Sequence, residues 1–131
     1  MQFRDHLPLN CPPEDASSLE IEVYCLVGSD PPTIEDFLSL REKKPNEVFK
    51  FDHDLVKVCE SCGLSVFTDI EGIVLAQRIS RTLRNKKLAV GHLSKDSGKI
   101  KNTPSQKTGD THHTWWLNKG IDPCTLFKVL H

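Results

Sequence analysis

Residues 86–117, KKLAVGHLSKDSGKIKNTPSQKTGDTHHTWWL, constrain the fold more than any other stretch of the chain. They hold both tryptophans, three of the six histidines, six lysines and only two acidic residues. Residues 88–94 are strand-like, Asp96-Ser97-Gly98 supplies a turn, and residues 99–103 read as the returning strand. A polar loop over 104–110 leads to a third strand at 111–117, which Asn118-Lys119-Gly120 closes. Strands of this kind need a layer of helices to cover them.

The preceding residues supply that layer. Over 19–27 the residues alternate, with Leu19, Ile21, Val23, Cys25 and Val27 on one face and Glu20, Glu22 and Tyr24 on the other. Period two with β-branched residues predicts a strand with one buried face. After the turn Gly28-Ser29-Asp30-Pro31-Pro32, Thr33 and Asp36 are spaced as a capping box for a helix over 33–43, which Pro45 stops. Residues 46–51 are expected to carry Phe49 or Phe51 to the core. A second helix over 52–63 would face the core with Leu55, Val58, Cys59 and Cys62 and end at Gly63. Residues 64–67 form a brief extended step. Thr68 and Glu71 then open the longest helix, 69–84, with Arg78, Arg81 and Arg84 on a solvated stripe. Asp122-Pro123 starts a short final helix over 124–130. The order β-α-α-α-β-β-β-α predicts an α+β fold. Its sheet is small, antiparallel or mixed, with about four strands and three to four helices packed on it. A length of 131 residues suits one domain, 18–131. The aperiodic residues 1–17, with Pro12-Pro13, are expected as a partly ordered arm.

Composition removes several classes of function. The longest apolar run is the five residues 23–27, too short to cross a membrane. The first fifteen residues contain no apolar signal core, so a cytoplasmic location is expected. Five cysteines, odd in number and irregular in spacing, are expected as reduced, packed thiols. Cys59-x-x-Cys62 has no second ligand pair, so no metal and no cofactor is expected. The net charge of −1 hides two unlike halves. Residues 1–77 hold 15 acidic and 6 basic side chains, and residues 78–131 hold 3 and 11. Such halves either pack against each other or offer a basic face to an anionic partner.

The catalytic candidates are two tripeptides, His92-Leu93-Ser94 and His112-His113-Thr114. On strands, period two puts His92 beside Ser94 and His112 beside Thr114. Adjacent, two such strands would aim two imidazoles and two hydroxyls at one phosphate, one imidazole as base and the other as acid. Over these six residues the chain resembles the paired motifs of the 2H phosphoesterases, which process RNA ends and cyclic phosphates. That family carries its motifs in the halves of a duplicated fold, whereas here they stand 20 residues apart without duplication. The resemblance implies His92 and His112 as the acid–base pair.

The binding candidates are Lys86, Lys87, Lys95, Lys99, Lys101, Lys107, His113, Trp115 and Trp116. Adjacent strand residues face opposite ways, so one tryptophan is expected in the core. The other is exposed, where it would stack a base or a sugar, or else covered by the final helix. The leading expectation is a non-enzymatic binding module whose basic His/Trp face, 86–117, takes nucleic acid or an acidic protein. A small phosphoester-processing enzyme, and a structural subunit or homo-oligomer that buries the exposed tryptophan, are the alternatives.

Overall fold

The alternation over 19–27 becomes β1 (Ile21–Val27), with Val23, Cys25 and Val27 buried on one face and Glu22 exposed on the other. The computed structural model describes residues 2–131 of the chain. Five further strands join β1: β2 (Leu64–Phe67), β3 (Lys87–Leu93), β4 (Gly98–Asn102), β5 (His112–Leu117) and β6 (Phe127–Val129). They form one antiparallel sheet in the order β4-β5-β2-β1-β3-β6. Its helices are α1 (Leu40–Lys43), α2 (Leu55–Ser61), α3 (Ile70–Ile79) and α4 (Pro123–Leu126), with 3-10 turns at Ile34–Phe37 and Lys95–Ser97. The chain is α+β, with six strands where about four were expected. Among the described residues, no helix is long and apolar enough to cross a membrane.

The extra strands have simple causes. Leu64, Val66 and Phe67 are all buried, so the short step after α2 is a strand enclosed by the sheet. The final helix ends after one turn, because Phe127 and Val129 are buried on either side of exposed Lys128, which is a strand period. The helix expected over 33–43 breaks at Leu38 and Ser39. Ser39 caps α1 by accepting from the Glu42 amide, and Glu42 in turn accepts from the Ser39 amide. Asp69, not Thr68, caps α3. On α2, Leu55 points outward at 80% exposure, so only the Cys59 and Cys62 part of the expected stripe is buried.

Residues 88–103 do not form a hairpin. β3 pairs with β1 and β6, and β4 pairs with β5, four positions away. In a flat sheet that separation is about 19 Å. The connection through Lys95–Ser97 includes a 3-10 turn and reaches only about 14 Å. The sheet must therefore curl, and Trp115 on β5 lies 5.9 Å from Phe127 on β6, across the concave side. Gly98 makes the corner with φ +132°, a conformation closed to other residues, and a Cβ there would strike the Trp116 carbonyl.

The concave face encloses Val23, Val66, Ala89, Leu93, Trp115 and Phe127, and Phe37 closes its mouth. The convex face carries two covers. α3 lays Ile73 and Ala76 over Phe67. α2 and residues 2–17 cover Trp116, with Phe3, Leu7, Cys11 and Ala16 around the indole. Residues 2–17, most of the stretch expected as an arm, thus contribute to the packing. A Cys11–Cys59 disulfide fastens it to α2, correcting the expectation of five reduced thiols; Cys25, Cys62 and Cys124 are free. The charged halves also meet, in the pairs Lys101–Asp15 and Lys119–Asp5. The aromatic pair Phe49 and Phe51 stays half-buried, stacked beside the Arg41 guanidinium.

Candidate functional site

β1 and β2 are paired at a single position, Tyr24 opposite Phe67. Beyond it the strands splay, and a cleft of about 560 Å³ opens at this seam, lined from residues 36–43, α2, β2, the end of α3 and β5. That volume suits a small organic ligand. Its walls are largely apolar, from Leu26, Phe37, Leu64, Val66, Trp115 and Phe127, and the Cys25 thiol also faces it. Burial pushes that thiol up to about 12, so at neutral pH it stays protonated and unreactive.

Two polar lining residues of the cleft, Ser65 and Thr114, gather with Thr103 around His112. Its Nδ1 lies 2.8 Å from the Thr103 carbonyl, which can only accept, so Nδ1 carries the proton. Nε2 is then a bare acceptor, and the Ser65 hydroxyl donates to it at 3.0 Å. Thr103 Oγ1 approaches the same Nδ1 at 3.0 Å and the Thr114 hydroxyl at 2.8 Å. The register explains the cluster. Phe67 pairs with His112 and Ser65 with Thr114, so these four side chains share the convex face. The Phe67 ring meets the imidazole edge-on at 5.3 Å.

Burial holds the His112 pKa below the usual histidine range, and the neighbouring His113 adds to this, while the bond to the Thr103 carbonyl acts the other way. A histidine depressed in the folded state contributes stability above its unfolded value of about 6.5 and loses it as pH falls through the folded value. Melting temperatures measured between pH 7.5 and 5 should therefore fall more steeply for the native chain than for His112→Gln. Equal slopes would mean that His112 is not held neutral.

Lys43, Lys57 and Lys86 line the cleft, and among the described residues none of them is in an ion pair. Two carboxyls line it as well. Asp36 accepts from the backbone amides of Gly28 and Thr33, at 2.7 and 2.9 Å. Glu60 is shifted up by burial.

The candidates from sequence fall into separate places. His92 lies on β3 and His112 on β5, three strand positions apart. They share the convex face, but the separation is about 14 Å or more, because side chains diverge on the outside of a curl. The two imidazoles do not converge on one phosphate, which corrects the expected pair. Ser94 turns into the β3–β4 corner against Ser97. Thr114 does join His112. Neither tryptophan is exposed: Trp115 at 0% donates to the Ser97 carbonyl and Trp116 at 1% to the Cys59 carbonyl. No indole face is left for stacking, and the exposed tryptophan assumed for self-association is absent. His113 donates from Nδ1 to the Thr111 carbonyl. Lys101 is paired with Asp15, Lys99 flanks Trp116 in register, and Lys87, Lys95 and Lys107 are exposed on separate elements. Of the lysines named from sequence, Lys86 alone lines the cleft.

Ser65, Thr103, Lys43 and Lys57 were not singled out from sequence. Ser65 had one local signal, a lone polar residue inside the apolar run Leu64–Phe67. Comparison with protein-family models, curated proteins and solved structures found no match to this chain.

Proposed function

We propose that this chain is a binding module whose ligand is a small anionic molecule with an apolar body, held in the cleft at the β1–β2 seam. The carrying observation is the apolar cleft itself, with Lys43, Lys57 and Lys86 among its lining residues and, among the described residues, in no ion pair. An apolar body would fill the space at the β1–β2 seam, and an anionic end would meet the lysines. The anionic partner expected from sequence is thereby narrowed from a polymer to a small molecule. The stacking of bases on a tryptophan, expected from sequence, has no surface here, since both indoles are buried.

Trp115 lines the cleft, so its emission is a built-in reporter. Titration with 1-anilinonaphthalene-8-sulfonate, an apolar anion, should give saturable binding of one molecule per chain. The charge reversal Lys57→Glu/Lys86→Glu should weaken it roughly tenfold at low ionic strength, with a smaller difference in high salt. Absence of saturable binding, or equal affinity in the double variant, would remove this reading.

A further inference from the structure

We propose that Ser65 is a nucleophile activated by His112, and that the cleft transfers the acyl group of a bound carboxylic ester to water. The proposal rests on reading the cleft as a ligand site and adds a reaction to it. Three observations carry it.

The Ser65 side chain is exposed on β2 and lines the cleft, so a substrate can reach it. Its hydroxyl points at an imidazole nitrogen that has no proton of its own, because the Thr103 carbonyl engages the other nitrogen. The imidazole is fixed in place by that carbonyl, by Thr103 Oγ1 and by the Phe67 ring. A hydroxyl, a base within hydrogen-bond reach and a third group orienting the base are the parts that nucleophilic catalysis requires. Here the orienting group is a main-chain carbonyl. A histidine kept neutral by burial is also in the right form to accept a proton at pH 7.

The steps balance within the chain and one water molecule. Ser65 Oγ attacks the ester carbonyl carbon while its proton passes to His112 Nε2. The bond from that carbon to the alkoxy oxygen breaks, and Nε2 returns the proton to the departing alcohol. Water then gives a proton to Nε2 and attacks the acyl-serine. The carboxylic acid leaves, and the proton returns to Ser65. An ester with an anionic tail suits the lysines of the cleft. Of the other ionisable groups, His113 neighbours His112 on its own strand, Lys101 on β4 pairs in register with Thr114, and Asp36, Lys43, Lys57, Glu60 and Lys86 line the same cleft.

The test uses the full chain and an alkyl fluorophosphonate, followed by mass spectrometry. One adduct per chain is expected at Ser65, with a phosphorus–oxygen bond formed and fluoride released. It should disappear in Ser65→Ala and form about 100-fold or more slowly in His112→Gln. The native labelling rate should fall with pH through an inflection below about 6.5, where Nε2 becomes protonated. If His112→Gln does not fold, this profile decides, and a rate independent of pH from 5 to 8 overturns the base. An absent adduct, or one that survives Ser65→Ala, overturns the nucleophile. Sulfonate binding separates the two readings. Binding without labelling defeats the nucleophile alone, and labelling without binding defeats only the anionic-ligand reading.

Discussion

Replacing Trp115 by alanine is expected to cost about 3–5 kcal/mol of folding stability, the upper range for a single substitution. The ring is fully buried, touches Phe127 across the concave face and donates to the carbonyl of Ser97 in the corner between β3 and β4. It therefore joins one edge region of the sheet to the other. Removing it leaves a large cavity and takes from the Ser97 carbonyl one of its two donors, the other being the Asn118 amide, where the curl is fastened. For a domain with total stability of about 5–15 kcal/mol, most of the margin would be gone. Urea unfolding followed by far-ultraviolet circular dichroism measures the loss without depending on the missing fluorophore. Trp115→Phe keeps most of the apolar volume but lacks one of the two donors to the Ser97 carbonyl, so about 0.5–1.5 kcal/mol is expected there. A Trp115→Ala domain within about 1 kcal/mol of the native one would mean that the curl is not built around this ring.

The second large effect comes from the disulfide. Cys11 and Cys59 are 48 residues apart, and closing a loop of that length restrains the unfolded chain by about 4 kcal/mol in the chain-entropy description. Breaking the bond should lower the melting temperature by roughly 12–20 °C for a domain of this size. It would also loosen residues 2–17 from Trp116, adding lost burial to the entropic change. Scanning calorimetry with and without a phosphine reductant measures it, and Cys11→Ala should reproduce the shift and then be insensitive to reductant. Alkylation of the unreduced, denatured chain should find three thiols: Cys25, Cys62 and Cys124. Five alkylated thiols would refute the pairing. Disulfides persist in oxidising surroundings, so in a reducing compartment the protein would have only its weaker form.

Strand positions were legible where one face of a strand is polar. β1 alternates buried Val23, Cys25 and Val27 with Glu22, so its period survives any partner. β3, β4 and β5 lie within a residue of the stretches predicted for them. Their partners were not legible. Asp96-Ser97-Gly98 has turn chemistry, but whether a turn makes a hairpin or a corner depends on what the strands meet elsewhere in the chain. β6 was missed because Asp122-Pro123 is a strong helix start, and three alternating residues are a weak strand signal against it. The period of β5 correctly put Trp115 and Trp116 on opposite faces. It could not reveal that Phe3, Leu7 and Ala16 would cover the outer indole, because those residues have no repeat. The same limit governed the site. His112 and Thr114 were readable on one strand, whereas Ser65 and Thr103 reach the imidazole only through sheet pairing and the 103–112 loop. A thiol pair 48 residues apart is equally silent in the sequence, and an odd cysteine total argued the wrong way.

The sparse pairing of β1 with β2 divides the sheet into two leaves of three strands, β4-β5-β2 and β1-β3-β6. Each leaf is laced by its own ladders, while a single strand pair, the α3 cover, the Lys95–Ser97 corner, the Ser17–Ile100 bridge and the shared core around Trp115 and Phe127 hold them together. The fracture line of the domain and the entrance to its interior are thus the same line. A molecule lodged there would act as mortar between the leaves, making the two halves open and close as one body.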